Sequence, residues 1–435
     1  MRNISALAFL LFAPALTAAN EAFALKDGDC VAFLGDSNTY TGKFIAYLDA
    51  YLVTRFPEKR IELINLGLPS ETVSGLSELD HPYPRPNVHE RIGRALELTK
   101  PSVVVMCYGM NDGIYSPFEA ERFKKYQDGM LGAIAKAEKA GARVILMTPA
   151  PFDPTPLKGK TQPAGAPKYS WLRPYERYDE EVLTRYSEWL VTLRAKKYVV
   201  IDAHAAVVKH LATMRTTDAS YRVSGDGIHP NANGHMVIAL ELLKALHAPS
   251  AIRDIVVNVP KEMQRGPNDP PTDPNVKVKS ARRNGVSFSF TMPLPMPTDP
   301  AWTAAAKELE KLDERVNRAS VKVEGLGGFL AIRVGNPKEG GKRMAITSEK
   351  LANGIPLTNL LSVDQDNAKK VWKLIEEKNR LLGLAWLTHV GHKRPDTPKG
   401  ISLDDARKKA ATLETEIRRL CTPPEVSVGV GPFGK

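Results

Sequence analysis

Four apolar residues, Val31 to Leu34, run into Gly35-Asp36-Ser37-Asn38, and an amphipathic segment begins at Phe44. An apolar run closed by glycine and followed by helical periodicity predicts a buried strand, a tight turn and a helix over 44–56 that stops before Pro57. The pattern then recurs. Strands are predicted over 61–65, 102–107, 143–147 and 198–202, with helices over 88–99, 118–139, 174–195, 203–214 and 232–246. The run 102–107 is the strongest strand signal, being β-branched and too continuous for a half-exposed strand. Proline and glycine crowd residues 149–167, which read as an inserted loop. Strands alternating with helices imply βαβ units, so residues 27–250 form an α/β domain with a mostly parallel sheet and helices on both faces. Such a sheet binds ligands outside the carboxyl ends of its strands, which would turn Ser37 toward substrate. Alone, Asp-Ser-Asn reads equally well as a plain turn.

From Pro249 the composition changes. Prolines are frequent over 259–300 around one alternating run, 286–290. A charged helix is predicted over 302–318, a glycine-turned hairpin over 321–334, helices over 367–384 and 403–420, and a frayed end over 421–435. Residues 251–435 are therefore a smaller α+β extension. The chain has 60 Lys+Arg against 49 Asp+Glu, a net charge of +11. Residues 251–435 hold 31 of these bases against 22 acids, so most of the excess belongs to the extension. An anionic partner, such as an acidic polysaccharide or a cell envelope, and a merely solvated surface both fit; the charges are interspersed and no aromatic-laced basic motif points to nucleic acid.

Residues 1–24 read as a secretory signal: Arg2, an apolar run from Ile4 to Leu16, and a small-residue cleavage site at Ala22-Phe23-Ala24. The mature chain is expected to be secreted or periplasmic, with a retained N-terminal anchor as the alternative; no later stretch reaches the roughly 18 apolar residues of a span. Cys30, Cys107 and Cys421 have no paired spacing and read as buried free thiols.

Four loops carry candidate chemistry: Gly-Asp-Ser37-Asn, Asn-Leu-Gly67, Gly-Met-Asn111-Asp and Asp226-Gly-Ile-His229-Pro. In a parallel sheet all four can converge on one edge. Acyl transfer from serine needs a base near Oγ, a group that orients that base, and donors for the developing oxyanion. His229 is the candidate base and Asp226, three residues earlier, its orienting carboxylate. The backbone N–H groups of Ser37 and Gly67 and the side-chain amide of Asn111 are candidate oxyanion donors. Each also has a plain reading: a loop hydrogen bond for Asp-x-x-His, a turn for the glycine, a helix cap for Asn-Asp.

Together and in this order, the motifs resemble the four blocks of the SGNH, or GDSL-type, hydrolase family. The resemblance covers about residues 27–250. It implies a three-layer, flavodoxin-like α/β/α fold with a five-stranded sheet, Ser37 as nucleophile and first oxyanion donor, Gly67 and Asn111 as the other donors, and Asp226 with His229 completing a triad. Asn38 stands where the GDSL name has leucine, a position where polar residues are common in the family. Residues 251–435 look similar to the tails of certain large exported bacterial members.

Competing chemistries fail on their residues. No Gly-x-Ser-x-Gly elbow occurs, and Gly42-Lys43 lacks the glycine and hydroxyl of a phosphate loop. His389 with His392 and His204 with His210 lack companion ligands, so neither metal nor cofactor is expected. Trp189, Trp302, Trp372 and Trp386 sit in core-like contexts; Trp171, in the inserted loop, is the candidate substrate platform. The expectation is an exported serine esterase that removes acetyl or similar groups from carbohydrate. The alternatives are lipid, aryl-ester or thioester hydrolysis, or a non-catalytic glycan- or envelope-binding protein on the same scaffold.

Overall fold

The computed structural model describes residues 22–259, 275–336, 340–357, 365–391, 397 and 399–433. Residues 1–21, which hold most of the expected signal, lie outside them. Five strands, β1 (Cys30–Gly35), β2 (Glu62–Asn65), β3 (Val103–Cys107), β4 (Arg143–Met147) and β5 (Val199–Ile201), form one sheet in the order β2-β1-β3-β4-β5. Every pairing is parallel. The helices between them are α1 (Ser37–Thr41), α2 (Lys43–Arg55), α3 (Ile92–Thr99), α4 (Ala120–Lys139), α5 (Thr184–Thr192), α6 (Ala203–Arg215) and α7 (Ala232–Ala245).

The continuous apolar runs follow from burial on both faces. Val31, Phe33, Val103 and Val105 pack with α2, α6 and α7, while Ala32, Leu34, Val104 and Met106 pack with α3, α4 and α5. The strand order reverses beside β1, so the loops after β1 and β3 open a crevice at the carboxyl edge. This is the three-layer α/β architecture expected from the sequence.

The extension has two parts. Strands β6 (Ala251–Asn258), β7 (Val276–Arg282), β8 (Gly285–Thr291), β9 (Arg318–Glu324), β10 (Phe329–Asn336), β11 (Gly340–Thr347), β12 (Ile355–Pro356) and β13 (Glu425–Pro432) make a sandwich. An antiparallel sheet β11-β10-β13-β8-β7 covers a smaller sheet β12-β9-β6, around a core that includes Ile255, Phe288, Val321, Ile332 and Val428. Its helices are α8 (Ala304–Leu309), α9 (Leu312–Val316), α10 (Ser348–Asn353), α11 (Gln365–Val390) and α12 (Leu403–Leu420).

Helix α11 lies against α2 and against β2, the edge strand of the first sheet. Tyr47 of α2 meets Trp302 and Trp372 with ring centroids 4.7 and 5.0 Å apart, and Trp302, Leu312, Trp372, Ile375 and Ile417 share one core with α2 and α7. Polar ties reinforce the contact. Lys378 pairs with Asp49 and Glu414, and Lys43 pairs with Asp299 and Glu376.

Three expectations for the extension are corrected. The helix over 302–318 is broken into α8 and α9, because Lys311 sits between them in the left-handed region, at φ 48°. The hairpin over 321–334 is a crossover: β9 pairs with β6 and β12, whereas β10 pairs with β11 and β13. Gly325, at φ 86° and close against the Val259 carbonyl, makes the turn between sheets. The end over 421–435 is ordered through Phe433, since Val426, Val428 and Val430 alternate inward and set β13 between β10 and β8. Cys30, Cys107 and Cys421 are free thiols, the first partly exposed and the others buried; burial pushes Cys30 and Cys421 up to about 12.

Candidate active site

Ser37 opens α1, two residues past the end of β1. Asp36 caps that helix by accepting the Asn38 N–H at 2.9 Å, which holds Ser37 at the helix N-terminus above the sheet. Gly35 is required beneath: a Cβ there would lie 2.0 Å from Thr39 Oγ1. The loop before α7 brings His229 to the serine, with Nε2 2.8 Å from Ser37 Oγ. The other ring nitrogen, Nδ1, lies 2.6 Å from Asp226 Oδ2.

Asp226 is itself fixed. Its Oδ1 accepts the backbone N–H groups of Ile228 and His229 at 3.0 and 2.9 Å and the Ser224 hydroxyl at 3.0 Å. Burial pushes this carboxyl up, but the His229 ring and those two N–H groups outweigh it and hold Asp226 well below the usual carboxylate range. An ionised Asp226 accepts a hydrogen bond from the Nδ1–H and keeps the proton on that nitrogen, which leaves Nε2 to accept the Ser37 hydroxyl. Burial lowers His229, while the hydrogen bond and charge of Asp226 and the charge of Asp36 raise it further, so its net shift is upward. Asp36 is pushed up to about 7 by burial, despite the Asn38 N–H and the His229 charge.

Asn111, past β3, is buried at the same edge. Tyr115 donates its hydroxyl to Asn111 Oδ1 at 2.9 Å, and Asn111 Nδ2 donates to the Glu71 carbonyl at 3.2 Å. One amide hydrogen is left for a ligand. Tyr115 holds this position at φ 56°, a strained backbone for a tyrosine.

The structure gives Gly67 a different task from the one expected. Its N–H donates to Asn65 Oδ1 at 2.9 Å, so it is occupied. Glycine is needed here because a Cβ would stand 2.1 Å from the Tyr40 backbone nitrogen, under α1. Gly67→Ala is expected to cost about 1–3 kcal/mol as an overpacked contact, read as a lower thermal midpoint; an unchanged midpoint would contradict the packing role.

Ser70, which sequence reasoning missed, lies on the following turn at φ 67°. No acceptor among the described residues takes its N–H. Its carbonyl accepts Arg85 Nη1 at 3.3 Å, and the next carbonyl, of Glu71, is the one that receives Asn111. Nothing local marks a serine for a left-handed turn. Two buried ion pairs hold this loop: Arg85 with Glu78 and Arg91 with Glu71, each bidentate at 2.6 Å. Asp112 steadies its far end by accepting the Val73 and Ser74 N–H groups, both at 2.9 Å.

The inserted loop reaches both sides of the site. Asp153 N–H donates to the Gly227 carbonyl at 2.9 Å beside the catalytic candidates, and Tyr175 N–H donates to the Tyr115 carbonyl at 2.8 Å. Between these anchors, Ser170 and Arg173 pair across a two-residue tip that carries Trp171 and Leu172. Trp171 is 41% exposed, Leu172 58%, and Leu79, beside the Glu78 that accepts the Trp171 N–H, is entirely exposed. Among the described residues, no group of histidines, cysteines and carboxylates could hold a metal ion, and no helix is long and apolar enough to cross a membrane.

The comparisons agree with this geometry at the level of the fold. Among solved structures, a gut microbial diltiazem-metabolizing enzyme is similar over 94% of this chain and 98% of its own, at 19% identity and a TM-score of 0.64. Its likeness spans both the sheet domain and the extension. The acetylxylan esterase Axe2 from Geobacillus stearothermophilus matches 51% of this chain and 96% of its own, at 19% identity and a TM-score of 0.37. LAE5, an alpha/beta hydrolase from the metagenome of Lake Arreo, Spain, matches 52% and 99%, at 22% identity and a TM-score of 0.39. No curated protein matches the chain. Residues 33–237 match the family described as GDSL-like Lipase/Acylhydrolase, so the chain carries an ester-bond hydrolase domain of this SGNH/GDSL type.

Proposed function

We propose that the chain is an exported serine esterase that removes acetyl or similarly small acyl groups from carbohydrate through an acyl-Ser37 intermediate. The observation that carries the catalytic part is the unbroken line Ser37 Oγ, His229, Asp226, at 2.8 and 2.6 Å. In this reading His229 Nε2 takes the Ser37 proton as Oγ bonds to the ester carbonyl carbon. The oxyanion is met by the Ser37 and Ser70 N–H groups and the free Asn111 hydrogen, with Ser70 in place of Gly67. The His229 proton then goes to the departing alkoxide, and water deacylates Ser37 by the same route in reverse. Neither a metal nor a cofactor is called on.

Two results test the roles. Asn111→Ala is expected to lower kcat by about 10²–10³-fold with little change in KM; an unchanged kcat would remove Asn111 from the oxyanion site. Because His229 acts as the neutral base and its pKa is raised, kcat/KM should fall as pH falls through a midpoint above the free imidazole value of about 6.5. A midpoint below that value would contradict the Asp226 contact.

Export is proposed from the signal-like residues 1–24, and a carbohydrate acceptor from export, the proline-rich rim and the basic extension. Trp171 is the candidate platform for a sugar face. A second reading, hydrolysis of lipid or aryl esters, is favoured by the exposed Leu79 and Leu172 on either side of it. Comparing kcat/KM on acetylated xylo-oligosaccharides, long-chain acyl esters and aryl acetates separates the two. A clear preference for the acetylated sugars supports the first, and a preference for the long-chain or aryl esters replaces it with the second.

A further inference from the structure

The sheet β11-β10-β13-β8-β7 turns one face to the sandwich core. The other face is partly open: Ser287, Ser427, Gly429 and Gly431 on it are half-buried. Strand register fixes what that outer face carries. Phe288, Val428 and Val334 are cross-strand partners and buried, so the residues flanking each of them point outward. On β8 and β13 most residues of that face are small: Ser287 and Ser289 on β8, with Ser289 fully buried, and Ser427, Gly429 and Gly431 on β13, which also carries Glu425. Glycine in a strand interior adds no packing and weakens the strand, and it suits a place where another chain must come close to the backbone.

Cations flank this floor on both sides. Lys277, Lys279 and Arg282 stand on β7. Across the sheet, Arg333 of β10 and Arg343 of β11 are direct cross-strand partners. All five are exposed. Lys279 sits at the register shift of β7 and reaches inward, its Nζ 3.4 Å from the Ser427 hydroxyl. The strands β7 and β10 are three spacings apart, about 14 Å. One carboxylate, Glu425, shares the face among the described residues; Ser289 and the charges of Lys279 and Lys277 hold it below the usual carboxylate value. The face is thus a floor of small residues between two positive rims, crossed at one end by the Lys279–Glu425 pair.

We infer that this face binds an acidic polysaccharide, with sugar rings lying on the serine and glycine floor and carboxylates meeting the lysines and arginines at its rims. Arginine pairs such as Arg333 and Arg343 suit carboxylates because the guanidinium donates in a planar fork. The same layout is poorly matched to single-stranded nucleic acid, which needs successive stacking platforms. The exposed aromatic residues Phe329 and Phe433 are instead gathered at one end, with ring centroids 5.0 Å apart. This inference does not depend on the esterase reading, since it concerns a face of the extension and a binding event without chemistry.

Affinity gel electrophoresis of the full chain tests it, with sodium alginate, neutral dextran or double-stranded DNA cast in the gel. Retardation is expected in alginate alone, lost at high salt because exposed charges are screened. The variants Arg333→Ala with Arg343→Ala, and Lys277→Ala with Lys279→Ala, should each weaken the alginate interaction about tenfold or more. Their hydrolysis of a small soluble acetate and their thermal midpoints should stay at the wild-type values, which separates lost binding from lost folding. Absence of retardation in alginate overturns the proposal. Equal retardation in DNA, or unaltered retardation of both variants, also overturns it, because the net charge alone would then explain the effect.

Discussion

Ser37→Ala is expected to abolish turnover of a short-chain aryl acetate, with kcat falling on the order of 10⁶-fold while the fold stays intact. The change removes one oxygen from a partly exposed helix start and leaves the Asp36 cap, the Asn38 contact and the underlying Gly35 packing in place. His229→Ala should cost about as much, because residues that act as one unit do not add. Asp226→Asn should cost less yet remain severe: an amide cannot hold Nδ1 protonated, and the tautomer that lets Nε2 accept the Ser37 hydroxyl is lost. Stopped assays with each variant, alongside circular dichroism, check the set. A Ser37→Ala protein with appreciable kcat would exclude the acyl-serine route.

The second large effect concerns folding. A chain ending at residue 250 is expected to be insoluble or to unfold at much lower temperature than the full chain. Tyr47 and Tyr51 of α2 are fully buried, and Tyr47 is covered by Trp302 and Trp372 from beyond residue 250. Removing that cover exposes several large side chains, each contributing about 1.5–3 kcal/mol when buried. It also opens the β2 edge now covered by α11 and strips Lys378 and Asn379 from Asp49. Expression of residues 25–250 with a solubility assay and a thermal melt checks this. A soluble fragment with a near-native melting temperature would contradict it and would support a domain boundary near 250 that is independent in folding as well as in sequence.

The parts of the site legible in the sequence are those written in local turn chemistry. Ser37, Asn111, Asp226 and His229 each sit just past a strand or just before a helix, where a short polar motif has one geometry available. Gly67 misled because a glycine after a strand is open to two readings, and the Tyr40 backbone that decides between them comes from another segment. Ser70 was hidden for the opposite reason, since its left-handed conformation is imposed by Arg85, Glu71 and Asn111 rather than by its own side chain. The same division runs through the fold. The βαβ order of residues 27–250 is a succession of local units and was readable. Strand β13 was not, because its pairing partners, β8 and β10, are distant in the chain, and a Gly-rich alternating tail has little intrinsic strand preference.

The most direct measurement is intact and peptide mass spectrometry of the full chain quenched in acid during turnover of an aryl acetate, on wild type and on Ser37→Ala. An acetyl adduct on the peptide containing Ser37, present in wild type and absent from the variant, is the predicted result. Turnover by wild type with no adduct at Ser37, or with the acetyl group on another residue, would contradict the central claim.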